Sequence, residues 1–224
     1  MSARGTRATR RGFLRLAIAV AATATPPVVG GVRSAFARVG GATRRYSVVP
    51  ERSEARYRVR EQLAGFSLPN DAVGTTRAVE GSVVLDAQGR VVASDSRFTV
   101  DLRQLQSDER RRDNYIRRNT LETDRYPMVV FVPTEVRGLS VPPPRAGTAT
   151  LGLVGDLTVR DVTKPVTWET TAAFRGGEVA IRAATTFSFA DFGLRIPRVA
   201  SVLSVEDRIR LEIDLLLAAS APGE

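Results

Sequence analysis

The chain has 224 residues and contains neither histidine nor cysteine, a length that allows one large β domain or two smaller ones around a real core. That composition excludes a His/Cys zinc or copper site, a cysteine nucleophile, a histidine-based triad and a structural disulfide, and leaves only hard, carboxylate-type metal binding or carboxylate acid–base chemistry. The net charge of +9 is concentrated at one end: six arginines and no acid fall in residues 1–37, so 27 basic residues face 24 acidic ones in the remainder. So small a surplus gives no case for a nucleic-acid partner.

In chain order, Thr9-Arg-Arg-Gly-Phe-Leu-Arg15 resembles a twin-arginine export motif, and an apolar run from Leu16 to Thr25 follows it. Pro26-Pro27 and the small-x-small site Ala35-Phe36-Ala37 complete the pattern of a cleaved signal. Residues 1–37 therefore read as a twin-arginine signal peptide, 38–45 as a linker, 46–218 as the folded domain and 219–224 as a tail. The apolar run is short for a membrane span, so none is expected after cleavage, and the destination is periplasmic or extracellular. Without cysteine, lipid attachment after cleavage is excluded as well.

The domain alternates with a period of two. Tyr57, Val59 and Leu63 interleave with Arg56, Arg58, Arg60 and Gln62; Val83 and Leu85 lead into the hairpin turn Asp86-Ala-Gln-Gly89. Phe98, Val100 and Leu102 form the next apolar face, and Val129 and Phe131 another, bracketed by Pro127 and Pro133. Leu151, Leu153, Leu157 and Val159 predict a long strand, and Val166, Trp168, Thr170, Ala172 and Phe174 its partner, with Asp161 and Pro165 at the corner between them. After Gly176-Gly177 come Ile181, Ala183, Thr185, Phe187 and Phe189, and finally Ile209, Leu211, Ile213 and Leu215. About eight strands joined mostly by short turns predict an all-β, antiparallel sandwich or barrel.

One segment breaks the period. Ser107 to Leu121 has a capping residue, acids early and arginines late, which suits a helix. Arg111, Tyr115 and Arg118 would share a face, and Asp113 would pair with Arg117. Such an inserted helix plugs or covers one end of a barrel.

Arg112-Asp-Asn-Tyr-Ile-Arg117, Arg125-Tyr-Pro127 with Phe131, Gly155-Asp-Leu-Thr158, Val162-Thr-Lys-Pro-Val166 and Ala190-Asp-Phe-Gly193 occur in that order. Together they resemble the YceI-like family, over about residues 46–218. The resemblance implies a lipocalin-like antiparallel β-barrel, exported by bacteria, that binds long isoprenoid chains. The chain departs from the family in its first strand, where Tyr57-Arg-Val-Arg-Glu-Gln-Leu63 stands in place of a histidine-bearing segment.

On this reading Tyr57, Val59, Phe98, Val100, Phe131, Leu153, Leu157, Trp168, Phe174, Phe187 and Phe189 face inward. They either fill a core or line a lipid tunnel. The helix face Arg111, Tyr115 and Arg118 either meets a ligand head group or is simply solvated. Glu122 with Asp124, and Glu206 with Asp207, are the carboxylate pairs that catalysis or calcium would need. Three functions compete: a non-enzymatic carrier of a polyisoprenoid or similar lipid, a carboxylate enzyme acting on a lipid or glycan, and a ligand-free structural barrel. No cofactor is expected, and a homodimer is left open.

Overall fold

Strict in–out alternation builds eleven strand segments, and all of them join one antiparallel sheet. They are β1 (Arg44–Val48), β2 (Glu54–Leu63), β3 (Asn70–Thr76), β4 (Val79–Leu85), β5 (Arg97–Asp101) and β6 (Gln106–Ser107). Then follow β7 (Met128–Arg137), β8 (Ala146–Val159), β9 (Val162–Arg175), β10 (Glu178–Phe187) and β11 (Val202–Ala219). This computed structural model describes residues 43–65, 67–200 and 202–220. The expected signal segment, most of the linker and the end of the tail lie outside them.

The pairing reduces eleven segments to eight staves. β1 and β2 both run along β11; β4 and β3 pair with β1 and β2 in turn; β5 and β6 pair with β4 and β3. Each of the first three staves is thus one strand broken once. From there β5, β7, β8, β9, β10 and β11 pair in sequence, and β11 returns to β1. The result is a closed, eight-stranded up-and-down barrel, as the periodicity and the family resemblance lead one to expect.

Closure depends on a patched seam. Between β1 and β2 the chain makes a 3₁₀ turn at Pro50–Arg52 and leaves the ladder. Val49 N–H donates to Leu216 O at 2.8 Å. The buried Ser53 hydroxyl accepts from Leu216 N–H at 3.2 Å and donates to Val49 O at 2.8 Å. One side chain therefore replaces the missing ladder bond. Ser96 does the same for β4, accepting from Val84 N–H at 2.9 Å and donating to Val92 O at 2.8 Å.

Three local expectations are corrected. Pro165 lies inside β9, opposite Asp156, and the corner is made by Arg160 and Asp161, with Arg160 at φ 56°. Arg160 is held there by Glu122 at 2.6 Å. Pro133 does not end its strand: β7 runs through it, and a bulge between Pro133 and Glu135 absorbs the irregularity. Gly155 opposes this spot, and a Cβ there would sit 2.3 Å from Val132 O, so only glycine fits. Leu102, expected in the third strand, lies in a 3₁₀ turn.

The helix is also shorter than Ser107–Leu121. α1 (Arg110–Tyr115) is capped by Glu109, whose carboxylate accepts from Arg111 N–H at 3.0 Å. It continues as a π-turn over Ile116–Thr120, with Leu121 N–H on Ile116 O at 2.8 Å. Asp113 does not pair with Arg117. It is buried beneath the helix and accepts from Ser107 N–H (2.9 Å) and Ser107 Oγ–H (2.6 Å), while Arg117 donates to Leu105 O at 3.1 Å.

Replacing Ser53 by Ala strands the buried Leu216 N–H. We expect a loss of about 1–3 kcal/mol in denaturant unfolding without change of fold, measured by the shift of the midpoint at constant slope.

Candidate functional site

Inward positions along the staves alternate large and small. Ala55, Ala72, Gly74, Gly155, Ala172 and Ala183 are buried on the same face as Phe98, Phe131, Trp168 and Phe174. Tyr57 has room only because Gly74 faces it, where a Cβ would meet the ring at 2.1 Å. The side chains are too few and too small to fill an eight-stranded barrel, and a cavity of about 860 Å³ remains, inside the usual range for small-molecule sites.

All eleven residues expected to face inward lie on the wall of this cavity: Tyr57, Val59, Phe98, Val100, Phe131, Leu153, Leu157, Trp168, Phe174, Phe187 and Phe189. Some of them pack. Phe131 meets Trp168 edge-on at 5.9 Å, and Leu157 is almost wholly enclosed. Others stay half-buried although they point into the barrel, namely Tyr57, Val100, Leu153 and Phe187. An inward residue that is not fully covered by protein faces open space. Strand alternation cannot separate these two groups, because it reports direction and not coverage.

One end of the cavity is lined by Tyr46, Leu85, Val136, Leu139 and Leu217. The opposite end lies under α1, beside Ala64, Asn70, Leu194, Pro197 and Val199. Here the wall turns polar. Glu61 continues the inward series after Tyr57 and Val59 and is only 7% exposed. Arg112 reaches it from α1 at 2.8 Å and holds Asp108 at 2.5 Å. Burial weighs against charge on Arg112, but these two carboxylates outweigh it and raise its pKa. Burial pushes the Tyr57 phenol well above the usual range, with Arg112 acting in the opposite sense, so Tyr57 remains a neutral hydroxyl. The Tyr57 hydroxyl, Asn70 Oδ1 and Trp168 Nε1 are buried without a hydrogen-bond partner.

At this end three carboxylates, Glu61, Asp108 and Glu109, share the wall with two guanidiniums, Arg111 and Arg112. Arg56 and Glu212 alternate outward and meet on the outer face at 3.6 Å. Of the expected helix face, Arg111 and Tyr115 reach the cavity wall, whereas Arg118 does not. The π-turn is the cause: it advances more residues per turn, so Ile116 and Thr120 take the place that regular spacing assigns to Arg118. Glu61 and Arg112 are the polar residues that sequence reasoning passed over. The signal was present, since the period that places Tyr57 and Val59 inward also places Glu61 there, and an inward carboxylate requires a partner.

The carboxylate pairs are placed otherwise. Glu122 is engaged by Arg160, Asp207 accepts from Phe189 N–H at 2.8 Å, and Asp124 and Glu206 are exposed. None of the four lies on the cavity wall. Among the described residues no group of three or more acids is arranged to hold a metal ion.

The chain matches the YceI-like domain over residues 46–217. A UPF0312 protein of Pseudomonas putida strain GB-1 is 33% identical over 137 residues, 57% of this chain and 66% of that protein. One from strain F1 is 36% identical over 115 residues, 47% of this chain and 56% of that protein. The chain thus spans less than two thirds of each. A polyisoprenoid binding domain from Saccharophagus degradans superposes with a TM-score of 0.62 at 11% identity, covering 78% of this chain and 98% of the domain. BcnA of Burkholderia cenocepacia (TM-score 0.56, 16% identity, 75% and 98% covered) and a YceI protein of Campylobacter jejuni (0.55, 15%, 71% and 91%) share the fold. A closed eight-stranded meander with a helix over one end, matched along nearly its whole length, places this chain in the YceI-like family.

Proposed function

We propose that the protein is an exported carrier or store for a polyisoprenoid or similar long-chain lipid, held inside the barrel and not chemically altered. The carrying observation is the large, mostly apolar cavity, into which Tyr57, Val100, Leu153 and Phe187 point while staying half-buried. The description of the Saccharophagus domain as polyisoprenoid binding supports the same reading. At about 30 Å³ per heavy atom, the share of a water molecule, the cavity holds on the order of five isoprene units. Burying such a chain yields about 25 cal/mol per Å² of apolar surface, which gives affinity without hydrogen bonds. The eleven wall residues are the proposed chain contacts. The twin-arginine-like motif in residues 9–15 supports export to the periplasm or beyond, and among the described residues no helix is long and apolar enough to cross a membrane.

The ligand's polar end belongs under α1, beside Tyr57, Asn70, Arg112 and Tyr115. Free positive charge is scarce there, because Arg112 is shared by Glu61 and Asp108. A head carrying a hydroxyl or carbonyl oxygen suits this end better than a phosphate, with Arg111 as the remaining guanidinium on the wall.

Organic extraction of protein from its own host, followed by mass spectrometry, should return a prenyl lipid near one per chain; repeated empty extracts would sink the carrier reading. Leu153→Trp fills the void from a half-buried position. It should cut prenyl binding by about tenfold or more while leaving the thermal midpoint within a few degrees. Quenching of Trp168, the only native tryptophan, reports binding in the native chain and extraction stoichiometry reports it in the variant. Geranylgeraniol should bind at least about tenfold more tightly than geranylgeranyl diphosphate, and Glu61→Gln should narrow that gap. Equal or tighter binding of the diphosphate overturns the uncharged head.

A further inference from the structure

Five large hydrophobic residues are exposed among the described residues, and four of them gather at the helix end of the barrel: Leu68 (76% exposed), Ile196, Val199 and Leu203 (68%). Leu68 lies between β2 and β3, Ile196 and Val199 between β10 and β11, and Leu203 at the start of β11. Pairing of Val202 with Leu63 holds the end of β2 beside the start of β11. The fifth residue, Val141, lies at the opposite end, in the loop between β7 and β8.

Arginines punctuate this rim. Arg195 and Arg198 are exposed on either side of Ile196, and Arg110, Arg111 and Arg118 are exposed on α1 or its π-turn at the same end. Several nearby acids are already engaged: Asp108 by Arg112, Asp191 by Lys164 at 3.2 Å and Asp207 by Phe189 N–H. Glu109 and Glu206 remain exposed. The rim is also continuous with the interior, since Pro197 and Val199 line the cavity while Val199 reaches the surface.

We infer that this rim docks on an anionic lipid bilayer. The four apolar side chains enter the headgroup boundary, the arginines meet lipid phosphates, and the cavity mouth faces the membrane. A bilayer fits better than a protein partner. Leu68, Ile196 and Val199 lie between strands and Leu203 at the start of β11, with the exposed Arg195 and Arg198 flanking Ile196, whereas a stable protein interface needs a contiguous buried centre depleted of charge. The inference gives the carrier reading its route for loading, but vesicle binding is measurable whether or not the barrel holds a lipid. A failure of one is therefore distinguishable from a failure of the other.

The absence of native cysteine makes the test site-specific. Leu68→Cys, Leu203→Cys and Val141→Cys, each in the full chain, are labelled with a polarity-sensitive dye. Vesicles of phosphatidylglycerol with phosphatidylcholine should shift the dye to the blue at positions 68 and 203 and leave it unchanged at 141. Arg195→Ala with Arg198→Ala, in the Leu203→Cys background, should weaken partitioning by about tenfold, and added salt should act in the same direction. No shift at 203, an equal shift at 141, or a shift produced by raising protein concentration without vesicles overturns the inference; the last outcome assigns the rim to a second copy of the chain.

Discussion

The interior of this protein exists because β11 finds partners along both of its edges. One edge takes β10, and the other takes β2 and then β1, so the sheet closes on itself. Without that closure the inward faces would need a second layer, and the large aromatic residues would pack into a solid core. With it, the ring encloses more volume than its side chains fill. The Ser53 hydroxyl matters out of proportion to its size, because it satisfies the backbone where the chain leaves the ladder between β1 and β2.

Closure also sets the chemistry available. Inside, the wall is mostly hydrocarbon, and its charged groups gather at the helix end, where the Glu61–Arg112 pair is partly withdrawn from water. A buried ion pair of this kind adds little to stability by itself, but it settles the polarity of one end of the cavity and ties α1 to β2. The wall offers surface for a flexible apolar chain. The described acids that catalysis would recruit are spent on backbone and arginine contacts or lie on the outside.

Much of the architecture was legible in the one-dimensional pattern, for a plain reason. In a barrel each stave is half-buried, so the period-two signal is strong at Leu151–Val159, Val166–Phe174 and Ile209–Leu215. It fails where the alternation carries no apolar contrast. β3, Asn-Asp-Ala-Val-Gly-Thr-Thr, has small and polar residues on both faces, and it forms because β2 offers it an unpaired edge. The breaks at Pro50–Arg52 and Leu102–Gln104 are likewise set by tertiary pairing and not by local preference.

The sequence by itself determined the class of chemistry, by lacking histidine and cysteine, and the direction of each inward side chain, by the period of the strand. Only the tertiary structure decided that the ring leaves a void, since coverage depends on neighbours brought from other staves. It alone paired Glu61 with Arg112, 51 residues apart, turned Arg118 away through the π-turn, and set the end of β2, which leads to Leu68, beside the start of β11, which carries Leu203. Periodicity is a property of one strand, whereas volume, pairing and exposure belong to the closed sheet.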